Sequence, residues 1–142
     1  GTGVDCGGGY PGSTIGPWGN WGCNYPRDYS VDSWGMFNRQ CVSYTAFKVA
    51  ESGRNMPKWG FIHSSNAKDW DDLARSYNIP VDGSPRKGDV AISNSGYYGH
   101  AMYVEHVYGD GTILISQYNV NWDGRYSTAR VSAGGLAFIH FP

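Results

Sequence analysis

The sequence changes character about halfway along, and this change constrains the fold more than any other feature. Residues 33–53 place apolar side chains at helical spacing, namely Val42, Ala46, Val49 and Ala50. This periodicity predicts an amphipathic helix that ends at Gly53. A second helix is predicted to start with Asn66 as its N-cap and Asp69 in its first turn, and to end at residues 78–80.

From residue 85 onward, short runs rich in β-branched and aromatic residues alternate with turn sequences. The predicted strands are residues 89–92, 99–107, 112–119, 126–131 and 136–141, and the glycines at 109–111, 123–124 and 134–135 are typical of hairpin turns. Helices followed by hairpin-linked strands are typical of an α+β protein. We therefore expect one domain over residues 1–142, with N-terminal helices packed on an antiparallel sheet of about five to six strands.

Residues 1–30 show no regular period and are rich in glycine, proline and aromatic residues. We interpret them as an irregular arm, in which a disulfide between Cys6 and Cys23 would stabilise the fold by about 3 kcal/mol. A disulfide indicates an oxidising setting, and we expect a secreted, extracellular protein. The opening residues Gly1-Thr2-Gly3 begin no recognisable secretory leader, so we expect a processed or trimmed chain.

The charge and hydropathy of the chain argue against several kinds of partner. The formal net charge is −1, so no strong field attracts nucleic acid or an anionic membrane. No apolar run approaches the roughly 18 residues of a membrane span. Neither C-x-x-C nor H-E-x-x-H spacing is present, which argues against zinc. We expect a monomer with no cofactor, no nucleic-acid partner and no membrane insertion.

Cys41 is the cysteine left over, at the head of the best helical pattern. A helix N-terminus favours the thiolate form of a cysteine. His100 follows a glycine-rich turn and starts a predicted strand, on which His100, Met102 and Val104 share one face. We expect this face to pack on the helix of Cys41 and to bring thiol and imidazole together, as a cysteine hydrolase requires. The other histidines, His63, His106 and His140, are expected in surface or structural positions.

A base of this kind needs a neighbouring group that orients it. Strands 99–107 and 112–119 should pair through the 109–111 turn, which places residues 117–119 opposite His100. Glu105 has an odd separation from His100 and therefore points to the other face of the sheet. Either Gln117 or Asn119 can accept a hydrogen bond from the imidazole. The alternative is that both amides only satisfy backbone groups at the strand end.

Several segments together resemble the CHAP domains, the cysteine, histidine-dependent amidohydrolases/peptidases of bacteria and phages. They are Asn38-Arg39-Gln40-Cys41-Val42-Ser43-Tyr44, Asn66-Ala67-Lys68-Asp69-Trp70, Pro85-Arg86-Lys87-Gly88-Asp89-Val90-Ala91, Gly99-His100-Ala101-Met102-Tyr103-Val104-Glu105 and Ser116-Gln117-Tyr118-Asn119. The resemblance covers about residues 25–142 and implies a papain-like fold. It implies Cys41 as nucleophile and His100 as base. The third position, often glutamate in this family, falls on Gln117, and a further polar position falls on Asn119.

The resemblance also implies a function, the hydrolysis of an amide bond in bacterial peptidoglycan at the cell wall. The enzyme would be an N-acetylmuramoyl-L-alanine amidase or an endopeptidase. Some CHAP domains bind calcium through acidic residues before the cysteine, but only Asp28 and Asp32 occupy that stretch, so we expect no metal. Aromatic residues in or beside the predicted site loops are candidates for substrate binding or for simple packing: Trp34, Tyr97, Tyr98 and Trp122.

Two other functions stay open at this point. Glutamine in place of the usual glutamate favours a catalytically weak or inactive CHAP fold that binds the wall. A cysteine acyltransferase or a peptidase acting on protein would use the same cysteine and histidine.

Overall fold

The computed structural model describes residues 5–14, 23 and 30–142, and within these ranges it shows a six-stranded antiparallel sheet with helices. The helices are α1 (Cys41–Glu51), α2 (Trp59–Ile62) and α3 (Trp70–Ser76), with 3₁₀ turns at Pro11–Thr14 and Ala67–Asp69. The strands are β1 (Val81–Asp82), β2 (Val90–Ser93), β3 (His100–Val107), β4 (Thr112–Tyr118), β5 (Tyr126–Ser132) and β6 (Ala137–Ile139). The predicted α+β class is confirmed.

The strand order of the sheet is β1-β6-β2-β3-β4-β5. The predicted β3–β4 and β4–β5 hairpins are confirmed. The turn at residues 134–135 does not make a third hairpin, because β6 leaves β5 and inserts between β1 and β2. Phe138 and Ile139 are neighbours on β6, so their side chains point to opposite faces of the sheet. Both are fully buried, because a strand inside the sheet is covered on both faces.

Helix α1 begins at Cys41, eight residues after the predicted start at residue 33. The stretch before it turns twice through left-handed backbone, at Gly35 (φ 83°) and Arg39 (φ 68°), which a helix does not allow. A Cβ on Gly35 would lie 2.4 Å from the backbone of Gly60, so this turn packs directly on α2. Gly53 (φ 87°) follows the last turn of the helix, as predicted.

The second predicted helix is a 3₁₀ turn that continues directly into α3. Asn66 precedes this turn, but its side chain makes no capping bond. The Ser64 hydroxyl instead links the approach to the turn with its last residue, accepting from the Asn66 backbone N–H at 3.1 Å and donating to Asp69 Oδ2 at 2.7 Å. Trp70 and Ala74 of α3 are fully buried.

The two faces of the sheet bury different clusters. The apolar face of α1 packs against the sheet face that includes Ala101 of β3. Met102 and Val104 belong to a second cluster on the opposite face, with Ile113, Ile115 and Phe138. The prediction that the His100, Met102 and Val104 face packs on α1 is therefore wrong. Lys48 of α1 instead lies 5.1 Å from the Tyr103 ring.

The N-terminal arm is joined to the sheet in the part that the structure describes. The predicted Cys6–Cys23 disulfide is present, and it packs in a third cluster with Tyr10, Tyr44 and Tyr118. The remaining residues of the predicted arm, 1–4, 15–22 and 24–29, lie outside the described residues. Within the described ranges, no helix is long and apolar enough to cross a membrane.

Candidate active site

A cleft of about 1040 Å³ opens where the N-terminus of α1 meets the start of β3 and the end of β4. The four residues predicted as catalytic, Cys41, His100, Gln117 and Asn119, all line it. They come from three elements and the residue after β4, so the topology of the sheet is what collects them.

Cys41 is the first residue of α1, and it is partly exposed. Burial of the sulfur raises the pKa of the thiol, whereas the backbone N–H groups of Ala101, Val42 and Cys41 lower it. The net direction is upward, so desolvation outweighs the helix N-terminus. This direction favours the thiol, in contrast to the thiolate expected from the helix start alone.

His100 is the first residue of β3, and its imidazole is oriented by an amide. His100 Nε2 lies 2.9 Å from Gln117 Oε1. A carbonyl oxygen only accepts, so this bond places the ring hydrogen on Nε2 and leaves the lone pair of the neutral imidazole on Nδ1. Burial lowers the pKa of His100, while the bond to Gln117 raises it. The net direction is downward, which favours the neutral imidazole.

Gln117 is itself held by a residue of the next strand. Its amide Nε2 donates to Ser127 Oγ at 3.2 Å, and the two residues are direct partners in the β4–β5 ladder. Gln117 is buried. Ser127 was not among the predicted site residues. The signal that could have identified it is the β4–β5 hairpin, whose register places Ser127 opposite Gln117.

The hydrogen bonds that the structure gives for the Asn119 side chain are made to Gln40 and Gly124. The β3–β4 register pairs Tyr103 with Ser116 and, if continued, would set Asn119 opposite His100. However, β4 ends at Tyr118 and Asn119 takes left-handed backbone (φ 61°). Its Nδ2 donates to Gln40 Oε1 at 2.7 Å, and its Oδ1 accepts from the Gly124 N–H at 2.8 Å.

Gln40, the N-cap residue of α1, is therefore a further site residue that sequence reasoning missed. It lines the same cleft and is bonded across it to Asn119. Its position directly before Cys41, inside the segment already singled out, was the signal that could have identified it.

The predicted substrate-binding aromatics separate into two places. Tyr98 and Trp122 line the cleft, with ring centroids 6.4 Å apart. Tyr97 packs edge-on against Tyr98 at 4.7 Å and is 76% exposed, at the rim. Trp34 lies in a different pocket, with Tyr10 and Phe47, so the structure does not bring it to the cleft.

The acidic stretch before the cysteine is committed to the fold where the structure describes it. Asp32 Oδ1 accepts from the N–H groups of Trp34 and Met36 at 2.8 and 2.9 Å, and Oδ2 accepts from the Ser43 hydroxyl at 2.6 Å. These bonds fix the Asp32 carboxylate in the turn before α1. Asp28 lies outside the described residues, among which no group of three His, Cys, Asp or Glu could hold a metal.

The other histidines have partners outside the cleft. His63 Nε2 lies 2.6 Å from Tyr77 Oη, and His106 packs edge-on against Tyr108. His140 is buried between two carboxylates, with Nε2 2.7 Å from Asp82 and Nδ1 2.8 Å from Asp89. Of the four histidines, His100 is the one that lines the cleft together with Cys41.

The fold and this arrangement define a class, the papain-like α+β proteins with a cysteine on a helix N-terminus and a histidine on a neighbouring strand. A sequence profile of the CHAP domain matches residues 31–119. This match covers more than half of the chain, and the chain belongs to the CHAP domain family.

Similar proteins carry amidase names. The chain is 34% identical over 102 residues to N-acetylmuramoyl-L-alanine amidase sle1 of Staphylococcus aureus strain MRSA252, and equally to that of strain USA300. The match covers 70% of this chain and 28% of those proteins. The chain thus spans less than a third of the length of these relatives.

Solved structures agree on the fold. The crystal structure of N-acetylmuramoyl-L-alanine amidase from S. aureus superposes with a TM-score of 0.70 and 26% identity, covering 82% of this chain and 34% of that one. The structure of Ly7917 superposes with a TM-score of 0.51 and 16% identity, covering 84% and 60%. The second likeness concerns the fold alone.

Proposed function

We propose that this chain hydrolyses an amide bond of bacterial peptidoglycan, with Cys41 as the nucleophile and His100 as the general base. The observation that supports this most is that Cys41 and His100 open on one cleft while Gln117 accepts the hydrogen of His100 Nε2. The amidase names of the relatives favour the bond between N-acetylmuramic acid and L-alanine. Cleavage within the stem peptide or cross-bridge is the alternative bond.

The first step forms a thioester. His100 Nδ1 takes the proton of the Cys41 thiol while the sulfur attacks the amide carbonyl carbon. The carbonyl oxygen becomes negative, and the backbone N–H of Cys41 at the helix start is a candidate donor to it. The imidazolium then gives its proton to the amide nitrogen, the C–N bond breaks, and an amine leaves.

The second step regenerates the enzyme. Water replaces the amine, and His100 Nδ1 takes one of its protons as the oxygen attacks the thioester carbonyl. The C–S bond breaks, the sulfur recovers its proton from the imidazolium, and a carboxylic acid is released. Throughout, the Nε2–H bond to Gln117 keeps the ring in one orientation and one tautomer.

Replacing Cys41 tests the proposal. We expect Cys41→Ala to abolish the release of soluble fragments from purified bacterial walls while thermal unfolding stays close to that of the wild type, since only a sulfur atom is lost. Residual release above a few per cent of the wild-type rate would overturn Cys41 as the nucleophile. A wild-type protein that binds walls but releases nothing would instead support the inactive, wall-binding alternative.

Mass spectrometry of the released fragments distinguishes the bonds. An amidase leaves a free alanine amine and a lactyl carboxylate, whereas an endopeptidase leaves both new ends within peptide. Cleavage of a protein substrate, or transfer of its acyl group, with walls left intact would support the acyltransferase or protein-peptidase alternative.

We also propose that the protein acts outside the cell, at the wall, as a monomer. The Cys6–Cys23 disulfide supports an oxidising compartment, and the similarity to wall amidases supports the location. Fractionation of the producing cells tests the location, and sedimentation velocity tests the oligomeric state.

A further inference from the structure

The cleft does not end at the catalytic residues but continues over the sheet face that faces away from the helices. Met102, Ala129, Val131 and Leu136 line this continuation, which we call the sheet arm of the cleft. All four belong to the apolar cluster on that face, the last three as its partly buried members. The sheet arm is therefore an accessible apolar surface joined directly to the reacting centre.

The sheet arm has the dimensions of a short extended peptide. The β4–β5 ladder pairs Gln117 with Ser127 and Ile113 with Val131, so Val131 lies on the same face as Ser127, further along β5. At about 3.3 Å per residue this separation is roughly 13 Å. An extended peptide of about four residues spans that distance.

The described residues that line the cleft carry no formal charge. None of the described residues that line it is Asp, Glu, Lys or Arg, and its polar members are serines, asparagine, glutamine and the His100 imidazole. Two charged residues that neighbour lining residues along the chain have partners of their own. Lys68 lies over the Tyr97 ring at the rim, and Arg130 is bonded to Asp110 from the opposite face of β5.

We infer that the sheet arm binds the peptide segment next to the scissile amide, in extended form and without charge, and that it accepts small apolar side chains such as those of alanine. A free carboxylate in this segment would lose hydration on an apolar surface with no described cation to pair with. The enzyme therefore selects substrates whose carboxylates near the cleaved bond are absent or amidated. This inference rests on the proposed function.

The test compares two forms of one wall preparation, the native wall and the same wall with its carboxylates converted to carboxamides by carbodiimide and ammonium chloride. We expect the wild type to release fragments about tenfold faster from the amidated wall. Equal rates would overturn this inference and leave the proposed function standing. No release from either wall would overturn the proposed function, and this inference with it.

Three variants separate the local effect from the charge of the wall as a whole. Val131→Lys supplies a cation in the sheet arm, Val131→Met matches its length without charge, and Thr128→Lys adds the same charge on the exposed, opposite face of β5. We expect Val131→Lys alone to lose the preference for amidated wall. A preference unchanged in Val131→Lys, or equally lost in Thr128→Lys, would overturn the inference.

Val131 is only half-buried, but a lysine there must still be accommodated by β5. Leu136→Lys with Leu136→Met repeats the comparison in the turn before β6, outside a strand. Thermal unfolding shows whether the Val131 pair and the Leu136 pair are folded. In either folded pair we expect the lysine variant to lose the preference for amidated wall and the methionine variant to keep it.

Discussion

At the scale of the residue, the centre depends on a neutral side chain where a carboxylate is common in the family. Gln117 Oε1 orients His100 as a carboxylate oxygen would, but it offers a dipole rather than a full charge to the imidazolium. Burial raises the pKa of Cys41 and lowers that of His100. Both directions favour the neutral thiol and neutral imidazole at rest, so we expect the proton to move as the sulfur attacks.

This arrangement predicts the pH dependence of the proposed hydrolysis. His100 must be neutral to act as a base, and its lowered pKa keeps it neutral below the usual value of about 6.5. The acid limb of kcat/KM for wall hydrolysis should therefore lie below pH 6.5. Gln117→Glu, by stabilising the imidazolium, should raise the pKa of His100 and move this limb upward.

Labelling of Cys41 by a thiol-directed electrophile provides the matching measurement. We expect slow labelling of the wild type at about pH 5 and faster labelling of Gln117→Glu, because the added charge favours the thiolate–imidazolium pair. Fast labelling of the wild type at that pH, equal to that of Gln117→Glu, would contradict the neutral resting state.

A second prediction at this scale concerns Ser127. Ser127→Ala removes the acceptor of the Gln117 amide, so the amide can rotate and present its NH₂ group to His100. We expect kcat to fall by about fivefold to tenfold with KM little changed, and the acid limb of the pH profile to shift.

Ser127→Thr keeps the hydroxyl and should restore most of the rate, which a purely structural role of the position does not require. A Ser127→Ala variant with the kcat and pH profile of the wild type would show that the bond from Gln117 to Ser127 does not affect the orientation of His100.

At the scale of the element, the start of β3 is positioned by a close backbone contact. Gly99 (φ 71°) precedes His100, and a Cβ there would lie 2.7 Å from the backbone nitrogen of Lys68 in the 3₁₀ turn before α3. The same turn donates the Lys68 N–H to the Tyr98 carbonyl at 3.0 Å. His100, the proposed base, is therefore placed by docking of one element on another rather than by the strand alone.

Gly99→Ala tests this docking, and Gly96→Ala is its matched control. Both glycines have left-handed backbone, but a Cβ on Gly96 would meet nothing within 4 Å. We expect Gly96→Ala to cost about 1 kcal/mol of unfolding free energy with activity retained. Gly99→Ala should cost about 3 kcal/mol and lower kcat/KM at least tenfold, because the imidazole is displaced. Equal effects in urea unfolding and in activity would refute the docking argument.

At the scale of the whole molecule, the disulfide links the N-terminal arm to the core. Cys6 and Cys23 are buried with Tyr44 of α1 and Tyr118 of β4, and the backbone N–H of Tyr126 donates to the Cys6 carbonyl. The arm is thus attached to α1 and β4, which also supply Cys41 and Gln117 to the cleft.

Replacing both cysteines by serine should lower the free energy of unfolding by about 3 kcal/mol in urea, since the unfolded chain regains the freedom of the open loop. Reduction of the wild type should produce the same loss, and Cys41→Ala, which leaves the disulfide in place, should not. An unchanged urea midpoint in the double variant would contradict a stabilising role for the disulfide.

Local patterns in the sequence were sufficient for much of this architecture. Apolar spacing predicted the helix that begins with Cys41, although residues 33–40 were wrongly included because Arg39 gives no sign of its left-handed backbone. The β3–β4 and β4–β5 hairpins followed from their turn sequences, and they place Gln117 near His100. These features depend on residues close in sequence, whose side-chain spacing and turn chemistry act over a few residues.

The tertiary structure decided what depends on packing between distant segments. It set β6 between β1 and β2, packed α1 on the Ala101 face, turned Asn119 toward Gln40 and placed Trp34 outside the cleft. It also decided the pKa directions of Cys41 and His100, because desolvation arises from neighbours far along the chain. The sequence by itself therefore determined the helix of Cys41, the two hairpins and the candidate residues they carry. Only the tertiary structure decided which of those residues share the cleft, which partners they have and in which direction their pKa values shift, since all three depend on packing between distant segments.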